Sequence, residues 1–370
     1  MLWVRVKKPE SLDTFSLKLA PPNAAEFDGS QRSTEQAARV GRVIFSDART
    51  FPCLILLAAL LCALFSPEMT TTIAPWPFLL ALMLFGMPHG CADWTVAARL
   101  SGRDGFGQRL RGFRGYLALM LACLALMALL PGIAALAFLG MTMFHFGMAD
   151  STALGADTDG FVARWGLALG RGMLLLSTAF AAHPVLAWAP FEQIETALSA
   201  WQYGAVSAWM PTPDQLRPLA FIGVGAGVAC AFASALARAR CGHARAAGAD
   251  LIEHALVAAM ATLADPLFSV GIYFVGVHAF RHTRRLACTS KIISTPQSKN
   301  NFLLRLVRVH LISLPLLWPT IPCFIPLCLL LGGFSAYTLA VASIAFYMIT
   351  TLPHHLLGLR LPAPDLSPAA

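Results

Sequence analysis

The sequence predicts an all-α protein, a polytopic transmembrane helical bundle with about 8–10 spans. Two observations lead to this prediction. The chain has 370 residues, of which 57% are hydrophobic and only 12% charged, and its mean hydropathy is +0.65. Soluble domains carry about 25% charged residues. The apolar residues also fall into successive long runs, and a membrane-spanning helix needs roughly 20 of them.

Ten apolar runs are candidate spans, and three residue pairs break adjacent runs into hairpins. These breakers are Pro131-Gly132, Asp265-Pro266 and Gly332-Gly333, because proline and glycine interrupt helices. The candidate spans are 51–66, 73–98, 115–130, 132–149, 161–181, 217–237, 250–264, 266–287, 309–331 and 334–357.

Composition divides the chain into three parts. Residues 1–48 form a polar N-terminal extension that lacks the apolar core of a signal peptide and is predicted to be cytoplasmic. Residues 49–360 form the transmembrane catalytic bundle, and residues 361–370 form a C-terminal tail. Within the bundle, segment 182–216 is rich in proline and tryptophan and is predicted to be an interfacial loop.

Basic residues concentrate between the apolar runs, in segments 99–114, 238–249 and 281–308. The positive-inside rule places all three segments in the cytoplasm, so we expect a multi-pass protein of the cell inner (cytoplasmic) membrane. Topology thus accounts for the net charge of +8, and no nucleic-acid partner is expected. Three arginines of the last segment are interpreted as topology anchors: Arg281, Arg284 and Arg285.

Four predicted helices carry histidine near their cytoplasmic ends. Two of these histidines are four residues apart, in "GVHAFRH", and therefore share one helix face. Neutral imidazole is a common ligand of iron, copper and zinc. The shared depth favours a metal site over the alternative that each histidine only packs through a hydrogen bond. The predicted ligands are His89, His145, His278 and His282.

A ligating histidine usually donates its other N–H group to a carboxylate, a carbonyl or water. Asp93 and Asp150 follow the first two predicted ligands by four and five residues, so we expect them to orient these rings, although helix packing would also explain them. Glu253 and His354 are further candidates for such supporting contacts. A helix-terminal acid is the simpler interpretation of Glu253.

Aromatic residues cluster around the histidine motifs. Such residues ordinarily pack a core, and here they are also predicted to line a slot for an apolar substrate. The residues are Trp94, Phe144, Phe146, Tyr273, Phe280, Phe346 and Tyr347.

The histidine motifs resemble those of a known family. "PHGCAD" at 88–93, "FHFGMAD" at 144–150 and "YFVGVHAFRH" at 273–282 are similar to motifs of the Brp/Blh family, the prokaryotic membrane-bound β-carotene 15,15'-dioxygenases. The resemblance covers roughly residues 50–360. It implies an all-helical membrane enzyme that uses Fe(2+) and dioxygen to split the lipid-soluble carotenoid β-carotene at its central double bond into two retinal molecules.

Carried over by motif, the resemblance implies the same four histidines as iron ligands. It also implies a membrane-lipid environment, a site toward the cytoplasmic side and a functional link to a retinal-binding opsin. Pro353-His354 is similar to the terminal motif of the family. Val277-His278-Ala279 departs from it, because the family commonly has Trp-His-Ser at this place. A different carotenoid or cleavage position therefore stays open.

Two other classes of function stay open on the residues alone. A membrane desaturase or hydroxylase would carry denser histidine boxes, whereas this chain has one HxxxH and no HxxHH. A non-enzymatic opsin or retinal assembly factor, or a transporter, would use the histidines as a proton relay. A transporter would favour broken helices and internal repeats, and the sequence shows no repeat.

Overall fold

The computed structural model describes residues 47–102, 105–201, 209–289, 292–293 and 302–362. Its regular elements are helices, and no β-strand occurs in these ranges. The first five are α1 Thr50–Phe65, α2 Pro67–Thr72, α3 Trp76–Met83, α4 Gly86–Cys91 and α5 Asp93–Leu100. The next five are α6 Phe106–Leu129, α7 Pro131–Ala153, α8 Phe161–Ala182, α9 Pro184–Trp201 and α10 Pro213–Arg240. The last five are α11 Ala244–Leu263, α12 Pro266–Tyr273, α13 Phe280–Ala287, α14 Phe302–Leu330 and α15 Ala336–Gly358.

Seven helices in the described ranges are long and apolar enough to cross a membrane, namely α6, α7, α8, α10, α11, α14 and α15. The shorter α1 is also apolar. The predicted all-α polytopic bundle is therefore confirmed, and the chain is a multi-pass membrane protein. Pro131 and Pro266 are the first residues of α7 and α12, so two of the predicted breakers lie at helix starts. Gly332 and Gly333 lie between α14 and α15 and adopt φ angles of 97° and 138°. Almost all of the predicted N-terminal extension and C-terminal tail lies outside the described residues.

The predicted span 73–98 is not one helix but the three short helices α3, α4 and α5. Pro88 has no N–H group, so the Leu84 carbonyl has no i+4 donor, and the helix breaks there. The Nε2 atom of His310 on α14 lies 2.9 Å from this carbonyl oxygen instead. The chain is also tight at the break, because a Cβ atom on Gly86 would lie 2.6 Å from that of Ala81. The break turns α4 and its histidine into the bundle.

Glycines bring α7, α8 and α10 close together. A Cβ atom on Gly147 of α7 would overlap the backbone carbonyl of Ala168 on α8. Gly166 and Gly170 form a GxxxG pair on the same α8, and a Cβ atom on Gly166 would lie 2.8 Å from the Cys230 carbonyl of α10. Small residues allow this backbone approach, which drives helix association in membranes.

The prediction of an interfacial loop over 182–216 was wrong for its first half. Residues 184–201 form α9, and its side chains Trp188, Phe191, Ile194 and Leu198 are buried in the main core. Their spacing of three and four residues gives α9 one apolar face toward the bundle. Trp209 is exposed, and residues 202–208 lie outside the described ranges.

Candidate metal centre

Histidines from four parts of the fold meet in one buried cluster. His89 comes from α4, His145 from α7 and His354 from α15. His278 and His282 come from one continuous helical stretch that contains a π-helix at Phe274–Ala279, between α12 and α13. Each of these five residues is at most 6% exposed. The π-helix is rare and often lies at functional sites, and here it carries His278.

The ring spacing of the cluster can be compared with that of a metal centre. With metal–nitrogen bonds of about 2.0–2.1 Å, a ligating imidazole has its centre about 3.2 Å from the metal, so ligand rings lie about 4.5–6.4 Å apart. The measured distances between ring centres are 4.6 Å for His145–His278, 5.1 Å for His89–His282, 5.6 Å for His89–His278 and 6.4 Å for His278–His282. These four separations therefore suit a shared metal ion.

The hydrogen bonds of the cluster leave ring nitrogens free. His89 Nδ1 lies 2.7 Å from the Phe85 carbonyl oxygen, so Nδ1 carries the proton and Nε2 keeps its lone pair. Neither nitrogen of the fully buried His278 has a hydrogen-bond partner. A buried polar group without a partner costs about 1–3 kcal/mol. A metal ion would supply the missing partner of one of these two nitrogens.

The nitrogen atoms do not yet converge on one point. In the described part of the chain, no three His, Cys, Asp or Glu side chains place their donor atoms in an arrangement that would hold a metal ion. Ring spacing and free nitrogens fit a metal, and rotation of the rings about the side-chain bonds would be needed to direct the lone pairs inward. His145 Nδ1, for example, lies 3.0 Å from His355 Nδ1, so one of the two donates to the other.

Asp93 contacts the cluster, but through a different histidine than predicted. Its Oδ2 atom lies 2.7 Å from Nδ1 of His354, while His89 is bonded to a backbone carbonyl. The hydroxyl of Tyr116 donates to the same Oδ2 atom at 3.0 Å. The expectation that Asp93 orients His89 was therefore wrong.

Asp150 and Glu253 belong to a buried ion-pair cluster beside the histidines. Arg281 lies 2.7 Å from Asp150 Oδ2 and 2.7 Å from Glu253 Oε1, and the hydroxyl of Tyr273 donates to Asp150 at 2.6 Å. Arg171 lies 3.4 Å from Glu253 and 3.5 Å from Asp150. Asp150 therefore pairs with arginines instead of orienting His145, and Glu253 is not a simple helix-terminal acid.

Arg281 is likewise not a topology anchor at the membrane surface, because its side chain is fully buried. Its Nε–H group donates to the Ala48 carbonyl at 2.9 Å, and its guanidinium faces the two carboxylates. Buried charges of this kind are tolerated when they are paired. Arg281 lies between His278 and His282 in the chain, so this pairing fixes the helix that carries both rings.

A cavity of about 260 Å³ opens beside the histidines. Its wall includes four histidines of the cluster, namely His89, His145, His278 and His354. The remaining wall is mainly apolar and reaches Leu267, which precedes His278 by eleven residues along the same helical stretch. At about 1.5 Å per residue, the cavity extends about 16 Å from the histidines toward the opposite end of the bundle.

Three of the seven predicted aromatic residues line this cavity: Phe146, Phe346 and Tyr347. The other four lie outside its wall. Trp94 packs on Phe113, and Phe144 stacks on Trp165. Tyr273 is bonded to Asp150, and Phe280 packs against Phe51 and Phe85.

Sequence reasoning missed two polar neighbours of the cluster, Tyr116 and His355 as the partner of His145. Tyr116 lies on α6, and only the tertiary fold brings it to Asp93. His355 follows His354 directly, and the doubled histidine was the one signal that could have drawn attention to it.

A family model described as "Beta-carotene 15,15'-dioxygenase" matches residues 80–361 of the chain. The matched range includes α4, α15 and the helices between them, and therefore every histidine of the cluster. No curated protein and no solved structure matches the chain.

Proposed function

The chain belongs to the β-carotene 15,15'-dioxygenase family, and from this premise we propose that it is an Fe(2+)-dependent dioxygenase that cleaves β-carotene at its central double bond into two retinal molecules. The main support for the proposal is that the histidine cluster and the apolar cavity adjoin. Buried imidazoles with free nitrogens form part of the wall of an elongated apolar cavity inside a membrane bundle.

The overall reaction needs no further reactant. One carbon–carbon double bond breaks, and each of its two carbons receives one oxygen atom of dioxygen, so two aldehydes form without water or an external reductant. Iron, when held by His89, His145, His278 and His282, supplies the activation of dioxygen. The protein then needs to hold one bond of the polyene beside the imidazoles.

The cavity walls are suited to that task. A polyene is stiff and extended, and the cavity is apolar and about 16 Å long on one side of the histidines. Leu117 and Leu186, both of which contribute to the wall, are 38% and 49% exposed, so the wall reaches the surface of the bundle. A carotenoid dissolved in the bilayer could enter there between helices, and the apolar side chains would exclude water from the reacting bond.

We place the protein in the inner (cytoplasmic) membrane, among its lipids, with the histidines toward the cytoplasm. The support is the basic segment 238–249 between α10 and α11. Arg238 at its start lies 2.8 Å from Asp159 and donates to the carbonyl of Leu154, which directly follows α7. That segment therefore lies near the C-terminal end of α7, and His145 is closer to this end of the helix than to the other. The retinal product would be a ligand for a retinal-binding opsin.

The broken helix α3–α5 is a feature that a transporter would also show. Here the break serves another purpose, because it turns His89 toward the other imidazoles. The outcome of a cleavage assay separates these functions.

The experiment is expression in a bacterium that accumulates β-carotene, followed by pigment extraction and chromatography. Cells should turn pale, with retinal as the main product. Alanine variants of the four predicted ligands should stay orange, whereas the matched control His183→Gln, whose ring bonds the distant Thr262 carbonyl, should retain activity. Apocarotenals of other lengths would exclude central cleavage. Unchanged carotenoid with folded, iron-loaded protein would refute the proposal.

A further inference from the structure

We propose that His354 is a fifth imidazole ligand of the metal centre and that Asp93 and Tyr116 are its positioning residues. The inference rests on the proposed function, because it concerns the same iron site. It adds a ligand to the four histidines that the motifs indicate.

Ring distances place His354 among the predicted ligands rather than behind them. Its ring centre lies 5.0 Å from that of His89, 5.1 Å from that of His145 and 5.1 Å from that of His282. All three values fall within the range of about 4.5–6.4 Å expected for imidazoles on one metal ion. His354 thus lies at nearly equal distance from three of the four predicted ligands.

The hydrogen bonding of His354 leaves its outer nitrogen available. Nδ1 lies 2.7 Å from the carboxylate of Asp93, so Nδ1 carries the proton and donates it to the carboxylate. Nε2 keeps a lone pair, and this atom is buried without any hydrogen-bond partner. The ring also lies on the cavity wall. A carboxylate behind a histidine with a free opposite nitrogen is the arrangement by which proteins fix a metal-binding tautomer.

Tyr116 completes this arrangement. Its hydroxyl donates to Asp93 Oδ2 at 3.0 Å, so the carboxylate receives one donor from α6 and one from α15. Tyr116 itself stacks on Phe113, with ring centres 4.3 Å apart. Asp93 is only 3% exposed, and a buried carboxylate is stable when such donors surround it. The three side chains therefore hold the His354 ring in one orientation.

The adjacent His355 has a different role, which sharpens the assignment. Its Nδ1 lies 3.0 Å from Nδ1 of His145, so it acts on the centre through another histidine. Of the two consecutive histidines on α15, His354 therefore has a free, buried nitrogen, whereas Nδ1 of His355 is hydrogen-bonded to His145.

The test uses the purified full chain, stripped of metal by a chelator and reloaded with Fe(2+) alone or Co(2+) alone. X-ray absorption of the iron-loaded protein should fit five imidazole nitrogens in the wild type and four in His354→Ala. The visible Co(2+) spectrum should change in that variant, and added imidazole should restore it. Asp93→Asn should weaken metal affinity by about 10–100-fold, because it removes the carboxylate behind a ligand.

Tyr116→Phe should weaken metal affinity in the same direction but less, and His183→Gln should leave affinity and spectra unchanged. An equal imidazole count and equal affinity in wild type and His354→Ala would overturn the inference while leaving the four-histidine site intact. If His354→Ala does not fold, an unchanged Co(2+) spectrum and affinity in Asp93→Asn would overturn it. Absence of metal binding by the wild type would instead refute the proposed function itself, so the two failures are distinguishable.

Discussion

The guanidinium of Arg281 lies 2.7 Å from the carboxylate of Asp150, and both side chains are fully buried. The pair joins α13 to α7, and so joins the helical stretch with His278 and His282 to the helix that carries His145. The buried ions therefore support the geometry of the histidine cluster as well as the fold.

Removal of the Asp150 charge should destabilise the protein. Asp150→Asn leaves Arg281 and Arg171 to share the carboxylate of Glu253, so one buried positive charge is no longer balanced and the free energy of unfolding should fall by about 3–5 kcal/mol. Thermal unfolding of the purified chain in detergent measures this change. The control is Asp157→Asn, because Asp157 is exposed. Equal stability of the two variants would contradict a structural role for the ion pair.

The contact of α7 with α8 should be intolerant of a single methyl group. Gly147→Ala forces a Cβ atom into the Ala168 carbonyl, so overpacking should cost about 1–3 kcal/mol. Since His145 lies two residues away, iron affinity should fall as well. Gly140→Ala, on the same helix, meets no atom within 4 Å and should preserve both stability and iron content. Unchanged stability and iron affinity in Gly147→Ala would show that α7 and α8 can move apart without consequence.

Filling the cavity should block turnover without removing iron. Ala179 lies on the cavity wall and is 1% exposed, so Ala179→Phe places a ring in the space proposed for the polyene. Cleavage of β-carotene should fall by about 10–200-fold, which corresponds to a binding loss of 1–3 kcal/mol. The same substitution at the exposed Ala118 of α6 is the matched control. Full activity in Ala179→Phe would place the substrate elsewhere.

The orientation in the membrane can be tested with a native cysteine. Cys241 is exposed and follows α10, in the segment that we place in the cytoplasm. A membrane-impermeant maleimide should label Cys241 in inverted vesicles but not in intact cells, and Cys241→Ser should remove that signal. Labelling in intact cells would invert the topology and move the histidines to the other side.

The sequence was sufficient to predict the helix content, the interruption of most apolar runs and the grouping of the histidines. Long apolar runs, proline and glycine determine helices and their ends through local effects. Contacts around the histidines were not. Phe144 and Phe146 are two residues apart and so point to opposite sides of α7, and only the second lines the cavity. Residue spacing within a motif does not show which side of the helix faces the cavity.

The carboxylates show the same limit. Asp150 follows His145 by five residues, which is about 140° around a helix, so the two side chains diverge. Asp93 and His89 are four residues apart, but α4 ends between them at Cys91. Their actual partners are distant in sequence: His354 for Asp93, and the buried Arg281 for Asp150. Such pairings depend on how helices assemble.

The π-helix at Phe274–Ala279 sets the residue count of the helix around it. Tyr273 and Arg281 are eight residues apart, which would place them about 80° apart on an α-helix. Both nevertheless reach the same oxygen of Asp150, because the wider turn absorbs one residue. The π-helix thus accommodates one extra residue, and the residues before and after it keep the alignment that an uninterrupted α-helix would give them. Deletion of one residue there would keep Tyr273 and Arg281 in phase but rotate His278 away from the other imidazoles.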